Sequence, residues 1–318
     1  MALTIALAGD TMLGRMVGEA LGKVPPESLV ATPVVEAAGR ADTFFLNLEC
    51  CISTRGSPWP EPGKPFFFRA PPAAVETLNH LGVSCVTLAN NHALDFGYEA
   101  LVDTFEHLSA AGIEWVGAGP DIDRARAVVR LDTGGLEVSV LALTDHPASF
   151  AATSDRPGVA YADLRLGVPA WVTDAVRSTA GALLLSPHWG PNMTPGPVPH
   201  VSKAARVLVE AGATVVAGHS AHVFHGVSGR VLYDLGDFLD DYAVDPELRN
   251  DLGLLWLVTM DGEGPRRLEA LPLKLEYCRT ELAQGDDADW IRRRFRSACA
   301  ALGTEVKEES GFLVVELG

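Results

Sequence analysis

Two carboxylates, one carboxamide and four imidazoles lie just beyond short apolar runs, at separate points along the chain. Asp10 stands in Ala8-Gly9-Asp10-Thr11-Met12-Leu13-Gly14, and Glu49 in Asn47-Leu48-Glu49. Asn91 and His92 fall in Leu88-Ala89-Asn90-Asn91-His92-Ala93-Leu94-Asp95, and His188 in Ser186-Pro187-His188-Trp189-Gly190. His219 and His222 close Gly218-His219-Ser220-Ala221-His222. Polar residues at the carboxyl ends of sheet strands can converge on one crevice. A single histidine in such a place is commonly just capped or hydrogen-bonded. Taken together, the mixed oxygen and nitrogen donors suit divalent ions such as zinc, manganese or iron and argue against a thiolate site. His219 and His222 follow Gly218 closely enough for a turn to aim both rings into one cavity, or for one ring to orient the other.

Other polar residues carry weaker signals. His225 can either join the site as a substrate contact or cap the turn at Gly226. Asp237 and the Asp240-Asp241 pair read first as a solvated acidic turn, with cation binding or support of a site histidine as the alternative. His80, His107, His146 and His200 have no supporting pattern, and the first two read as helix-surface residues. Cys50 and Cys51 follow Glu49 directly, but no base stands near them in sequence, so they read as packing residues.

The elements that must position these residues follow an α/β rhythm of apolar run, polar turn and helical stretch. The runs are Leu3–Ala8, Thr43–Leu48, Val83–Leu88, Trp115–Ala118, Val138–Leu143, Ala182–Ser186, Thr214–Ala217, Val231–Leu235 and Leu254–Val258. Their near-continuous apolar character predicts strands covered on both faces. Helices are predicted at Pro72–His80, Tyr98–Ala111, Ala170–Ala180 and Ser202–Ala211, several closed by Gly82, Gly112, Gly181 or Gly212. Ser53–Pro72, rich in Pro, Trp and Phe, predicts an irregular loop, either a surface excursion or a flap that touches substrate. Residues 1–275 read as the main domain and 276–318 as an added helix and strand packed on it.

The chain has 318 residues, 47% of them hydrophobic and 7% aromatic, enough for a large core. Its 41 acidic and 25 basic residues give a formal charge of −16, which repels nucleic acid and anionic membranes. An anionic small substrate stays compatible, because bound divalent cations reverse the local field. Five cysteines without CxxC spacing fit a reducing cytoplasm. No stretch reads as a signal peptide or membrane span, so a soluble, cytoplasmic protein is expected.

The pieces GDTMLGR at 9–15, NLE at 47–49, LANNHALDFG at 88–97, PHWG at 187–190, GHSAH at 218–222 and DLGDF at 234–238 resemble, in order, the CapA-type branch of the calcineurin-like metallophosphoesterase superfamily. That resemblance implies a four-layer α/β sandwich of two packed mixed sheets flanked by helices, with one or two divalent ions. By motif, Asp10 and His222 would hold the first ion, Glu49 would bridge, and Asn91, His188 and His219 would hold the second. His92 would be the acid or base facing substrate. Asp95 would either orient it or serve as a helix cap or turn residue. Two departures stand out. The superfamily's Asp-x-His is Asp10-Thr11-Met12 here, and the longer Glu49 replaces the bridging Asp, which implies either a weak first site or a harder first ion such as calcium or magnesium. The resemblance points to a peptide substrate. It favours Cα epimerisation of a residue in a ribosomally made, lasso-type peptide, with phosphoester or amide hydrolysis as the alternative. A third expectation is a non-catalytic protein that binds poly-γ-glutamate or peptide.

Overall fold

The computed structural model describes residues 2–131, 133 and 135–317. Side-chain alternation along the strands sets the layering. On the first strand, Leu3–Thr11, Ala6 and Ala8 enter a cluster with Val17, Val34, Leu78 and Leu101, which come from the helices Arg15–Leu21, Thr32–Ala38, Ala74–His80 and Gly97–Ala110. Ile5 and Leu7 point the other way, toward Val140 and Ala142 of Val138–Thr144 and Leu184 of Ala182–His188. On these last two strands Leu141, Leu143, Leu183 and Leu185 face outward, against Val172 of helix Ala170–Ser178 and Leu208 of helix Pro199–Ala211. The layers are therefore helix, sheet, sheet, helix, the sandwich that the motifs led us to expect.

Both sheets are mixed. The larger runs Lys307–Glu309, Phe312–Glu316, Gly264–Glu276, Leu252–Asp261, Leu3–Thr11, Thr43–Leu48, Cys85–Thr87, Glu114–Val116, and Asp237–Leu239 also pairs with the first strand. The first strand is antiparallel to Leu252–Asp261 and parallel to Thr43–Leu48. The smaller sheet runs Val227–Ser228, Val231–Leu232, Val215–Ala217, Ala182–His188, Val138–Thr144, Val129–Leu131.

Gly82, Gly112, Gly181 and Gly212, at φ of 74°, 72°, 76° and 120°, follow the helices they were expected to close. The expected strand at Trp115–Ala118 breaks at Gly117 (φ 81°), where an added Cβ would meet Ala89 Cβ at 2.5 Å. The strand expected to reach Leu235 ends at Leu232, because the Asp234 carboxylate folds the chain by accepting from the amides of Ala221 (2.8 Å) and Gly236 (2.9 Å). In the tail, helix Gly285–Ala300 buries Ile291, Phe295 and Cys299, and Phe312–Glu316 pairs with Gly264–Glu276. Among the described residues, no helix is long and apolar enough to cross a membrane.

Candidate metal centre

Two glycine-aspartate pairs build the larger sheet's side of the centre. Asp10 and Asp237 lie opposite each other on parallel strands, and the Asp10 amide donates to the Gly236 carbonyl at 2.9 Å. A Cβ on Gly9 would sit 1.7 Å from that carbonyl oxygen, so only glycine allows the strands to close. A line of carboxamides then ties three strand ends together. Asn47 Nδ2 donates to Asp10 Oδ1 (2.7 Å), Asn90 Nδ2 donates to Asn47 Oδ1 (2.9 Å), and the His92 amide donates to Asn90 Oδ1 (3.0 Å).

The smaller sheet contributes the imidazoles. His188 and His219 are brought side by side by paired backbones: the His219 amide donates to Pro187 O (3.0 Å) and the Trp189 amide to His219 O (3.1 Å). Ser220 (φ 110°) and His222 (φ 59°) then take left-handed conformations, a strained turn of the kind found at functional sites. The turn aims His222 back at the carboxylates.

Five of the six expected ligands, all but Asn91, are brought together by short distances. Asp10, Glu49 and His222 offer donor atoms all within 4.8 Å of one another. His219 Nδ1 lies 3.4 Å from Asp10 Oδ1, His222 Nδ1 3.3 Å from Asp10 Oδ2, and His188 Nε2 4.0 Å from Glu49 Oε1. Asn91 sits on the turn before His92. Glu49 Oε1, Asn91 Oδ1, both ring nitrogens of His188, and His219 Nδ1 are buried without a hydrogen bond. Each such atom costs about 1–3 kcal/mol unless something else satisfies it. The residues therefore fit a cation, which is what these orphaned donors lack.

The electrostatics agree. Burial and the charge of Asp10 push the Glu49 carboxyl well above its ordinary range. Burial does the same to Asp237. Burial also opposes the Asp10 charge, but the nearby His219 and His222 rings and the charge of His222 overcome it and hold Asp10 well down. His222 is raised despite burial by Asp237, Glu49 and Asp10, whereas burial drives His188 well down. Carboxylates buried this densely need positive charge, and a divalent ion would supply it.

His92 stands beside this cluster. Its Nδ1 lies 2.6 Å from Asp95 Oδ2, which also accepts from the Phe68 amide at 2.6 Å. Lys64 Nζ reaches Asp95 Oδ1 (2.9 Å) and donates to the Asn91 carbonyl (2.9 Å), and the Phe68 ring stacks on His92 at 3.9 Å. Asp95 thus orients His92. It does not cap the following helix, whose N-cap is Phe96. The 53–72 loop reaches the site through Lys64 and Phe68. Burial lowers the His92 pKa against the pull of Asp95, so the ring is neutral near neutral pH.

Several expectations are corrected. His225 does not join the cluster: its Nε2 donates to the Thr194 carbonyl at 2.8 Å, among Trp189, Val198 and Tyr233. Asp237, Asp240 and Asp241 do not form a solvated turn; all three are buried. Asp237 Oδ1 lies 2.8 Å from His222 Nδ1, Asp241 pairs with Arg15, and Tyr242 donates its hydroxyl to Glu49 Oε2 at 3.1 Å. Leu-Gly-Asp after a strand, matched to Gly-Asp on the first strand, was the signal for Asp237. Met12 packs in the helix-side core, so nothing on the first strand replaces the missing histidine. His146 and His200, for which no pattern was found, both contact Asp145 next to His188. Cys50 and Cys51 are buried thiols; burial pushes Cys50 up to about 12, which removes the nucleophile.

His225 carries its own prediction. Burial lowers its pKa to about 4 in the folded protein, against 6.5 for a free histidine. Between those values the unfolded chain takes up a proton that the folded chain refuses, so stability falls as pH drops from about 6.5 to 4, by about 3 kcal/mol in all. Urea titrations of wild type and His225→Gln across that window should differ in slope. Parallel curves would remove His225 from the acid response.

Residues 4–242 match the family model described as bacterial capsule synthesis protein PGA_cap. The chain belongs to this family. Among the family's relatives, a probable polyglutamine synthesis accessory protein of Mycobacterium tuberculosis is 31% identical over 96% of this chain and 93% of its own length. The capsule biosynthesis protein CapA of Bacillus anthracis is 27% identical over 75% of this chain and 60% of its own. Among solved structures, the NAD nucleotidase of Haemophilus influenzae is a distant likeness: 12% identity, TM-score 0.44, covering 93% of this chain and 63% of that one. The family match takes in every residue of the cluster, from Asp10 to Tyr242.

Proposed function

We propose that this chain is a metal-dependent acid–base enzyme acting on a peptide-type substrate, and that its reaction inverts a Cα centre. The observation that carries this is the Asp95–His92 dyad, set beside a cluster of buried donors that lack partners. Asp10, Glu49, Asn91, His188, His219 and His222 would hold the ion or ions. When bound, a divalent cation polarises a substrate carbonyl and makes the adjacent Cα–H more acidic. His92 does the proton work. Its Nδ1–H is donated to Asp95, its neutral ring offers Nε2 as acceptor, and Asp95 stabilises the imidazolium that forms. Lys64 fixes Asp95, and Phe68 covers one face of the ring against water. Phe66, 55% exposed on the same loop, offers an apolar contact to a peptide. Relatives named for polyglutamine synthesis and PGA biosynthesis support a substrate made of amino-acid units.

The test uses α- and γ-linked glutamyl tripeptides and tripeptides ending in an aromatic residue, in L and D forms, with metal-loaded protein in deuterium oxide. Gain of a single deuteron at Cα without cleavage supports inversion. Cleavage without exchange replaces it with hydrolysis, and neither reaction on any probe counts against the proposal. His92→Gln is expected to slow the reaction about 10²- to 10⁴-fold with metal content unchanged. Asp95→Asn should cost about 10- to 100-fold. Loss of metal from His92→Gln would make His92 a ligand instead.

A further inference from the structure

We propose that His146, oriented by Asp145, is a second proton-transfer group that reaches substrate from the smaller sheet while His92 reaches it from the larger. This rests on the Cα-inversion reading above.

Asp145 follows the strand Val138–Thr144 and is clamped to the ligand-bearing strand beside it. Its amide donates to the His188 carbonyl (3.0 Å), and its Oδ2 accepts from the Gly190 amide (3.0 Å). Its Oδ1 lies 2.5 Å from His146 Nδ1. A carboxylate only accepts, so Nδ1 carries the proton and Nε2 keeps the lone pair, the same tautomer that Asp95 imposes on His92. The His146 ring centre is 5.4 Å from that of His188. With Arg165, Gly190, Asn192 and His200, His146 lines a cavity of about 500 Å³, a size suited to a substrate residue. The side chain of His146 is 32% exposed, so its ring is open to solvent and ligand.

One loop touches the surroundings of both dyads. Lys64 binds Asp95 and also lies 5.4 Å from the centre of the Phe150 ring, against which Trp59 packs at 5.1 Å. Glu61 of that loop accepts from Ser149 at 3.1 Å. Phe150 and Ser149 belong to the short turn just after His146.

Inversion removes a proton from one face of a carbon and returns one to the other, which a single fixed imidazole cannot do without crossing the substrate. With two imidazoles the step balances. His92 Nε2 takes the Cα proton, and the C–H electron pair moves into the adjacent carbonyl. The electron pair then returns to Cα and takes a proton, on the opposite face, from His146, whose Nε2 has first been loaded with a proton from water. Each turnover leaves His92 protonated and His146 neutral. Exchange with water, or the reverse reaction on the other configuration, resets the pair.

The experiment compares wild type, His146→Gln, Asp145→Asn and His92→Gln on the tripeptides named above, in both configurations, in deuterium oxide, with metal content and melting recorded for each. His146→Gln is expected to lose inversion at least about 10²-fold yet keep exchange of Cα–H in one configuration. His92→Gln should keep exchange in the other. Asp145→Asn should show the His146→Gln pattern more weakly, so the inference survives a His146 variant that folds poorly. Inversion by His146→Gln within about threefold of wild type overturns it, as does loss of exchange in both configurations while metal and melting are unchanged. Wild type that exchanges neither configuration overturns the parent reading. Wild type that exchanges both, beside an unaffected His146→Gln, overturns this inference alone.

Discussion

Gly9→Ala is expected to destabilise the protein by about 3 kcal/mol or more and to lower its melting temperature by roughly 10 °C. The added methyl would lie 1.7 Å from the Gly236 carbonyl oxygen, 2.7 Å from its carbon and 3.2 Å from the Leu235 carbonyl carbon. All three are backbone atoms in a parallel pairing, so relief requires the strands to part. Parting them breaks the hydrogen bond from the Asp10 amide to Gly236 and moves Asp10 away from Asp237. Gly22→Ala is the control: its Cβ would meet Glu19 O at 3.6 Å, an ordinary contact, in a right-handed conformation (φ −81°) that any residue adopts. That change should stay within about 0.5 kcal/mol. Calorimetry of the two variants decides the matter, and a Gly9→Ala protein melting within about 2 °C of wild type would show that the strands can separate freely.

Asp10→Asn is expected to empty the metal centre and reduce activity on the order of 10³-fold. The substitution keeps the shape and removes the charge. Asp10 Oδ1 accepts from Asn47 and lies near His219, while Oδ2 lies near His222 and 3.4 Å from the Ser220 amide. Every group around it is a donor or a ring nitrogen, so an amide NH₂ in either orientation faces at least one donor. Elemental analysis after mild purification reads the metal directly, independent of any substrate. Asp10→Asn protein carrying as much divalent metal as wild type would displace Asp10 from the ligand set.

Most of the site was legible because each polar cluster directly follows an apolar strand, and parallel strands present those ends together. Thr43–Leu48 was read at its observed bounds, and Asp10, Glu49, His188, His219 and His222 meet as their positions suggested. What was missed depends on partners distant in sequence. The repeated Gly-Asp marks Asp237 as a polar strand residue, but that it faces Asp10 depends on a pairing between residues more than two hundred positions apart. His146 had no supporting pattern and Asp145 drew no reading, because the bonds that place them beside the centre run to His188 and Gly190, some forty residues on. His225 misled because its spacing after His222 mimics that of His222 after His219, while its ring turns to Thr194. The long strand Gly264–Glu276 escaped because Arg266, Arg267, Glu269 and Lys274 interrupt it, which diluted the apolar pattern.

The provenance of the ligands has a mechanical consequence. Asp10, Glu49 and Asn91 hang from one sheet, and His188, His219 and His222 hang from the other. An ion held by both sets would act as a rivet through the sandwich, and sliding one sheet across the other would strain its coordination. The proline- and phenylalanine-rich loop carrying Lys64 and Phe68 is not held by such an ion, yet it supplies the Lys64 contact to Asp95. Any displacement of that loop would take the Asp95 support with it, so His92 is fully braced only with the loop in place.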